Sequence, residues 1–285
     1  MSLLRLGTLG IANQHDDGGL TVVFGLLTLR KWLPVACVAV FLAAGSGLGL
    51  AQPAATAGDS VFQLVTMSQT EGRYASIAMG TAFFIDADGI AITNSHVVYR
   101  VQHNAGRYRL AAIVGKEFYG ATVVCASALA HDPGDSAAGV ELGRDVAEVK
   151  LTASQFPFTK LTYQDTVIAT AHLGALPRFP ALVVRGDPVL DEAVRVIGFG
   201  QDRLHPNLQR KWAVSGSVME LGVAHDGTPL AKIAFLTPPD AGASGSPVLD
   251  AENRVVGLYS WRRSESSAFG IAMGGSALLD PCAGR

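Results

Sequence analysis

Three stretches carry side chains able to do chemistry on a carbonyl group. The first is Pro239-Asp-Ala-Gly-Ala-Ser-Gly-Ser-Pro-Val248, in which Gly242 and Gly245 flank Ser244 and no long side chain crowds the hydroxyl. Glycine admits backbone conformations closed to other residues. Such a turn can expose the Ser244 hydroxyl while aiming two backbone N–H groups at one point. A nucleophile beside preorganised donors is what acyl transfer requires. Taken alone, the same stretch also reads as a flexible surface turn. The second stretch is an apolar hairpin, Gly80-Thr-Ala-Phe-Phe-Ile-Asp-Ala-Asp-Gly-Ile-Ala-Ile-Thr-Asn-Ser-His-Val-Val98, which places His96 at a strand end. The third, Gly143-Arg-Asp-Val-Ala-Glu-Val-Lys-Leu151, sets Asp145 at the entry to a strand.

An imidazole that titrates near neutrality can take a proton from a hydroxyl and return it to a leaving group. A carboxylate beside it holds the needed tautomer and stabilises the charged form. Each residue also has a structural reading: His96 as a strand-end histidine, Asp145 as a turn residue, Ser244 as a loop serine. The order His96, Asp145, Ser244 is spread widely enough for the three to come from separate strands and loops. A serine esterase on an α/β fold needs Gly-x-Ser-x-Gly and the order Ser, Asp, His. Here Ser246 stands two residues after Ser244 and the order is reversed, which argues against that chemistry. His15, His103, His131, His172, His205 and His225 lack comparable contexts and read as surface or loop residues. His131 with Asp132 and Asp135 lacks metal-ligand spacing, and Gly198-Phe-Gly200 is too short for a phosphate loop.

Elements that could position these residues are short and apolar, broken by Gly, Asp and Asn. Strands are expected at Val61–Met67, Gly80–Ile85, Ile90–Thr93, Tyr108–Val114, Ala121–Cys125 and Val146–Leu151. In the second half they are expected at Val167–Ala171, Ala193–Gly198, Trp212–Met219, Lys232–Leu236, Ser246–Leu249, Val255–Trp261 and Ala268–Met273. Asp86-Ala-Asp-Gly89 has the residues of a hairpin turn. No sustained helical periodicity follows the N-terminal region, so the pattern predicts an all-β barrel or sandwich. Roughly 230 residues would form one large all-β unit or two small barrels sharing a cleft. Ala126–Gly143, rich in Gly, Ser, Ala and Asp, reads as an exposed insertion.

Of the 285 residues, 16% are charged and the net charge is -2, against a usual charged fraction of about 25%. No basic run could neutralise phosphates, so nucleic-acid binding is not expected. Residues 29–52 carry Arg30 and Lys31, then a long apolar run ending in small residues, with Gly49 and Ala51 placed as at a signal-peptidase site. The expectation is an N-terminal extension plus signal peptide over 1–51, cleaved after Ala51, and a periplasmic or extracellular product. The alternative is an uncleaved membrane anchor at 32–50, since the run nearly reaches spanning length. Residues 1–28 resemble neither a leader nor a folded domain, so a true start near residue 22–29 is expected. Residues 52–60 form a small-residue linker. Cys37 lies within the leader, which leaves Cys125 and Cys282 in the mature chain, able to pair in an oxidising compartment.

Taken together, these motifs resemble the chymotrypsin-fold serine proteases, especially the bacterial HtrA/Deg-type and glutamyl-endopeptidase-like branches. Thr93-Asn-Ser-His-Val-Val98 is similar to the family's histidine motif, Asp145–Leu151 to its aspartate strand and Gly242–Pro247 to its serine turn. Val255-Val-Gly-Leu-Tyr-Ser-Trp261 looks like the strand that binds substrate backbone, and Phe269-Gly-Ile-Ala-Met273 like the following pocket wall. The similarity covers roughly residues 61–280. It implies two six-stranded antiparallel β-barrels, at 61–160 and 161–285, with the site in the cleft between them. It implies Ser244 as nucleophile, His96 as base, Asp145 as its orienting partner, an oxyanion hole from Gly242 and Ser244, peptide substrates and no cofactor. Substrate contacts would fall at Pro238, Ser260, Trp261, Arg262 and Gly270.

Several positions depart from the family pattern. Glu148 replaces an apolar residue in the aspartate strand. Ala243 stands where animal digestive members have an aspartate that pairs with a newly cut N-terminus, and no Ile-Val-Gly-Gly start follows the linker, so activation by that ion pair is not expected. Ser260 stands where glutamate-specific members have a histidine, and Arg262 where glycine leaves the pocket mouth open. Pro238, near the pocket base, offers no carboxylate for a basic side chain, and a small or medium apolar P1 residue is expected. No PDZ domain follows, so the expectation is a protease domain alone, as a monomer. A module that keeps the fold and has weak or no activity is the alternative.

Overall fold

Strand alternation and turn chemistry build two closed barrels in the computed structural model, which describes residues 56–71, 73–129, 143–163, 166–201, 209–239, 241–262 and 268–283. After a short 3₁₀ turn at Ala57–Ser60 come β1 (Val61–Thr70), β2 (Arg73–Phe84) and β3 (Ile90–Thr93). A nine-residue helix, α1 (Ser95–His103), precedes β4 (Tyr108–Val114), β5 (Glu117–Ala126) and β6 (Ala147–Thr152). These six strands close in the order β4-β1-β2-β3-β6-β5, with β4 pairing back onto β5. Asp86 Oδ1 accepts the N–H groups of Asp88 and Ile90, which sets the β2–β3 turn.

A hairpin of β7 (Lys160–Tyr163) and β8 (Thr166–Ala171) joins this first sheet, where β8 lies parallel to the start of β5. The first sheet therefore runs past the division expected at residue 160. The cause is β5, whose residues Glu117 and Phe118 precede its ladder with β6 at Gly120 and leave an edge for β8. The second barrel is closed by β9 (Ala193–Gln201), β10 (Gln209–Val223), β11 (Pro229–Phe235), β12 (Ser246–Leu249), β13 (Val255–Arg262) and β14 (Phe269–Gly274). A 3₁₀ turn at Gly275–Leu278 leads into the tail.

Three apolar clusters explain why so many strand residues are hydrophobic on both faces. Leu64, Phe84, Leu110, Tyr119 and Val149 fill the first barrel, where Phe84 stacks on Phe62 and Phe179. Val196, Val218, Ile233, Val248 and Tyr259 fill the second. Between the barrels lie Phe83, Ile92 and Val146 from the first, against Ile197, Leu249, Leu258 and Met273 from the second. Successive residues of β2 thus point into a barrel (Phe84) and into the interface (Phe83), as the two-residue period of a strand dictates. Each fully buried large side chain contributes about 1.5–3 kcal/mol.

Cys125 and Cys282 are joined by a disulfide, with Cα atoms 5.5 Å apart, so the tail is stapled to β5. Glu148 sits half-buried beside it on the outward side of β6, where Glu148, Lys150 and Thr152 alternate with buried Ala147, Val149 and Leu151. It therefore leaves the first barrel's packing intact. The expected leader, the cleavage point at Ala51, the anchor at 32–50 and most of the Ala126–Gly143 insertion lie outside the described residues. Among the described residues no helix is long and apolar enough to cross a membrane.

Candidate active site

His96 lies in the first turn of α1, not at a strand end as expected. Helix N-termini leave backbone N–H groups without intrahelical acceptors, and here the Asp145 carboxylate supplies one: His96 N donates to Asp145 Oδ1 at 3.0 Å. Its other oxygen, Oδ2, meets His96 Nδ1 at 2.6 Å. An ionised carboxylate only accepts, so Nδ1 carries the proton and the neutral ring presents the lone pair of Nε2. Burial disfavours the charged ring, but the charge and hydrogen bond of Asp145 outweigh it, and the histidine is held above its ordinary pKa. The His96 side chain is 21% exposed and that of Asp145 only 2%.

Neighbours on every side fix the aspartate. Asn94, fully buried at the N-cap of α1, donates from Nδ2 to the Asp145 carbonyl at 2.7 Å and to Ser260 Oγ at 2.6 Å. Asp145 N–H points at the Met273 sulfur, 3.0 Å away. The preceding Arg144 donates its N–H to Asp226 Oδ2 at 2.6 Å and its guanidinium to the carbonyls of Ala277 and Asp280. Burial alone would raise the Asp226 pKa, but the N–H groups of Thr228 and Arg144, the Thr228 hydroxyl and the His225 charge hold it below the usual range. The sequence marks neither Arg144 nor Met273 as a partner of the aspartate; Met273 reads only as the end of an expected pocket wall. Asn94 stands inside the Thr-Asn-Ser-His motif, which is the one signal that could have flagged it.

Ser244 sits in a turn with Gly242 at φ +95° and Gly245 at φ +87°, conformations that favour glycine. A side chain on Gly245 would also strike the backbone carbonyl of Thr81. The carbonyls of residues 242, 243 and 244 are all engaged, by Thr81 Oγ1 at 3.0 Å, Ser246 N at 3.0 Å and Thr81 N at 2.8 Å. Among the described residues the N–H groups of Gly242 and Ser244 have no hydrogen-bond acceptor. Ser244 Oγ donates to the Ser260 carbonyl at 3.3 Å. Ala243 is buried in the second barrel's core.

The expected substrate contacts divide. Pro238 is half-buried in the loop leading to the serine turn. The Ser260 side chain is buried and committed to Asn94, so only its carbonyl faces Ser244. At Gly270 a Cβ would run into the ring of Tyr259, so the packing of that ring requires the glycine. Trp261 and Arg262 lie in β13, and their side chains are outside the described residues. A cavity of about 460 Å³ lined by Ser127, Arg144, Asp145, His225 and Asp226 lies against the aspartate. A larger one of about 610 Å³, between α1 and the β4–β5 pair, shares no residue with His96, Asp145 or Ser244.

The histidine–carboxylate pair of the first barrel and the serine turn of the second are thus linked through Ser260, whose hydroxyl accepts from Asn94 and whose carbonyl accepts from Ser244. Residues 80–258 match the family model of the trypsin-like peptidase domain. The chain belongs to that family. Membership in the trypsin-like peptidase family makes peptides the substrates. The chain is also similar in structure to M. tuberculosis Rv3671c, solved as the inactive form of a serine-to-alanine mutant. The two are 19% identical, with 79% of this chain and 85% of that chain covered at a TM-score of 0.47. No curated protein matches the sequence.

Proposed function

We propose that the chain is a serine endopeptidase working through an acyl-enzyme. The observation that carries this is the 2.6 Å contact between His96 Nδ1 and buried Asp145, which leaves Nε2 as the available base. Ser244 Oγ attacks the scissile carbonyl as Nε2 takes its proton. The N–H groups of Gly242 and Ser244 meet the oxygen as it becomes negative. The imidazolium, stabilised by Asp145, then protonates the departing amine, and water releases the acyl group by the same steps in reverse order of roles. The mechanism calls for no metal or cofactor. A small or medium apolar P1 side chain suits the absence of a carboxylate at Pro238.

We further infer that the protein is exported after cleavage near Ala51. The charged and then apolar leader and the Cys125–Cys282 disulfide both suit an oxidising compartment. N-terminal sequencing or mass spectrometry of the native product tests this, and a product that keeps residues 32–50 would overturn it.

One observation favours a second reading, a weakly active or inactive scaffold: the Ser244 hydroxyl donates to the Ser260 carbonyl at 3.3 Å instead of to the imidazole. Fluorophosphonate labelling separates the two. The enzyme takes label at Ser244, and Ser244→Ala loses on the order of 10⁶ in kcat. An unlabelled native protein supports the scaffold.

A further inference from the structure

We propose that Thr81 is a positioning residue that locks the serine turn in its donor-presenting form. The inference rests on the oxyanion role given above to Gly242 and Ser244. Thr81 belongs to β2 of the first barrel, is fully buried, and reaches the turn of the second barrel twice. Its hydroxyl donates to the Gly242 carbonyl at 3.0 Å and its N–H to the Ser244 carbonyl at 2.8 Å. The hydroxyl also accepts from Phe199 N at 2.9 Å, and the Thr81 carbonyl accepts from Thr93 Oγ1 at 2.6 Å. Every polar group of the threonine is therefore used, and it has no freedom to turn away.

The N–H and C=O of one peptide point in opposite directions, so anchoring a carbonyl on one side of a turn aims the neighbouring amides to the other. Gly242, at φ +95°, has the conformational freedom that would let the 242–243 peptide flip. A flip would swing the Gly242 carbonyl towards the site and set an acceptor where the developing oxyanion needs donors. The Thr81 hydroxyl opposes that flip directly. The Ser244 N–H lies in the peptide between the two that Thr81 anchors, and the Gly242 N–H in the peptide just before them. Serine would serve equally at position 81, whereas an isosteric valine would leave the Gly242 carbonyl and the Phe199 N–H unpaired.

The test compares Thr81→Val and Thr81→Ser with the wild type in peptide turnover, in affinity for a peptide boronic acid that forms an anionic tetrahedral adduct, and in crystal structure. Thr81→Val should lose about 10²–10³-fold in kcat and in boronate affinity, with KM changed less than about threefold. Thr81→Ser should stay within about threefold of wild type. Unchanged kcat in Thr81→Val, or equal losses in both variants, would overturn the lock. A wild type that takes no fluorophosphonate and cuts no peptide overturns the acylating role instead. In that event the crystal structure decides the lock alone: a flipped or disordered 242–243 peptide in Thr81→Val supports it, and an unchanged turn overturns it.

Discussion

The two barrels hold their halves of the site by different physics. In the first, His96 and Asp145 are fixed by charge, burial and side-chain hydrogen bonds, with the carboxylate nearly sealed from solvent. In the second, Ser244 rides on a turn of small residues, whose shape is set by glycine conformations and by bonds to its own backbone carbonyls. Yet each half takes its bracing from the opposite barrel. Met273, Ser260 and the tail carbonyls of Ala277 and Asp280 hold the Asn94–Asp145 side, and Thr81 holds the serine side. The geometry of the site is thus a property of the interface between barrels rather than of either barrel alone. In the proposed mechanism, charge suits the half that stabilises a cation and backbone suits the half that presents neutral donors to an anion.

The largest way to break the contrast, short of removing the proposed nucleophile, is Asp145→Asn. The amide keeps the shape of the carboxylate but can donate to Nδ1, which favours the wrong tautomer. Peptidase activity should fall about 10⁴-fold. Amide protection of Gly245 and Ser246 in the serine turn should stay as in the wild type. Loss of protection there as well would show that the two halves are not separately held.

Removing the staple comes next. Cys125→Ser with Cys282→Ser frees the tail that carries the carbonyl acceptors of Arg144. Stability should drop by about 2–5 kcal/mol in denaturant unfolding. Hydrogen exchange should quicken at 143–146 ahead of 244–246, and the opposite order would contradict the assignment of the tail to the aspartate half.

Asn94→Ala removes a side chain that ties the Asp145 carbonyl to Ser260. It should reduce kcat/KM by about 10–100-fold, through displacement of His96 and Asp145 rather than loss of a reacting group. Fluorophosphonate labelling should slow in proportion. An Asn94→Ala enzyme with wild-type turnover would mean that the aspartate is held adequately by Met273 and Arg144.

Much of this arrangement could be read locally and some could not. Ile90–Thr93, Tyr108–Val114 and Ser246–Leu249 form as strands over the expected residues, because each is a short apolar run bounded by turn or polar residues. Helix α1 was hidden. Val97, Val98 and Val101 are β-branched and read as strand, and the helix start is satisfied by a carboxylate 49 residues away in sequence. The β7 strand was hidden as well, since it follows Phe156-Pro-Phe158 and gains its place by pairing with β8. His96, Asp145 and Ser244 stood out because each lies in its own local motif. Thr81 and Asn94 did not, because their partners lie 161 and 166 residues downstream. Only the folded chain shows that Ser260 serves Asn94 and that Gly270 serves Tyr259.

The smallest effect is in pH dependence, and it bears on the charged half alone. Burial by itself would push the His96 pKa down, but Asp145 raises it overall. Turnover needs the neutral imidazole, so the acid limb of kcat/KM should have its midpoint above the ordinary histidine value of about 6.5. Because the folded pKa is raised, the protonated pair contributes stability that is complete below the unfolded pKa and is lost as pH rises through the folded one. Activity should therefore rise over the same window in which this contribution to the melting temperature fades. In Asp145→Asn the burial remains without the charge, and the residual activity should titrate at lower pH than in the wild type. An acid limb at or below the ordinary value, or one unmoved in Asp145→Asn, would show that the carboxylate orients the ring without stabilising its charge.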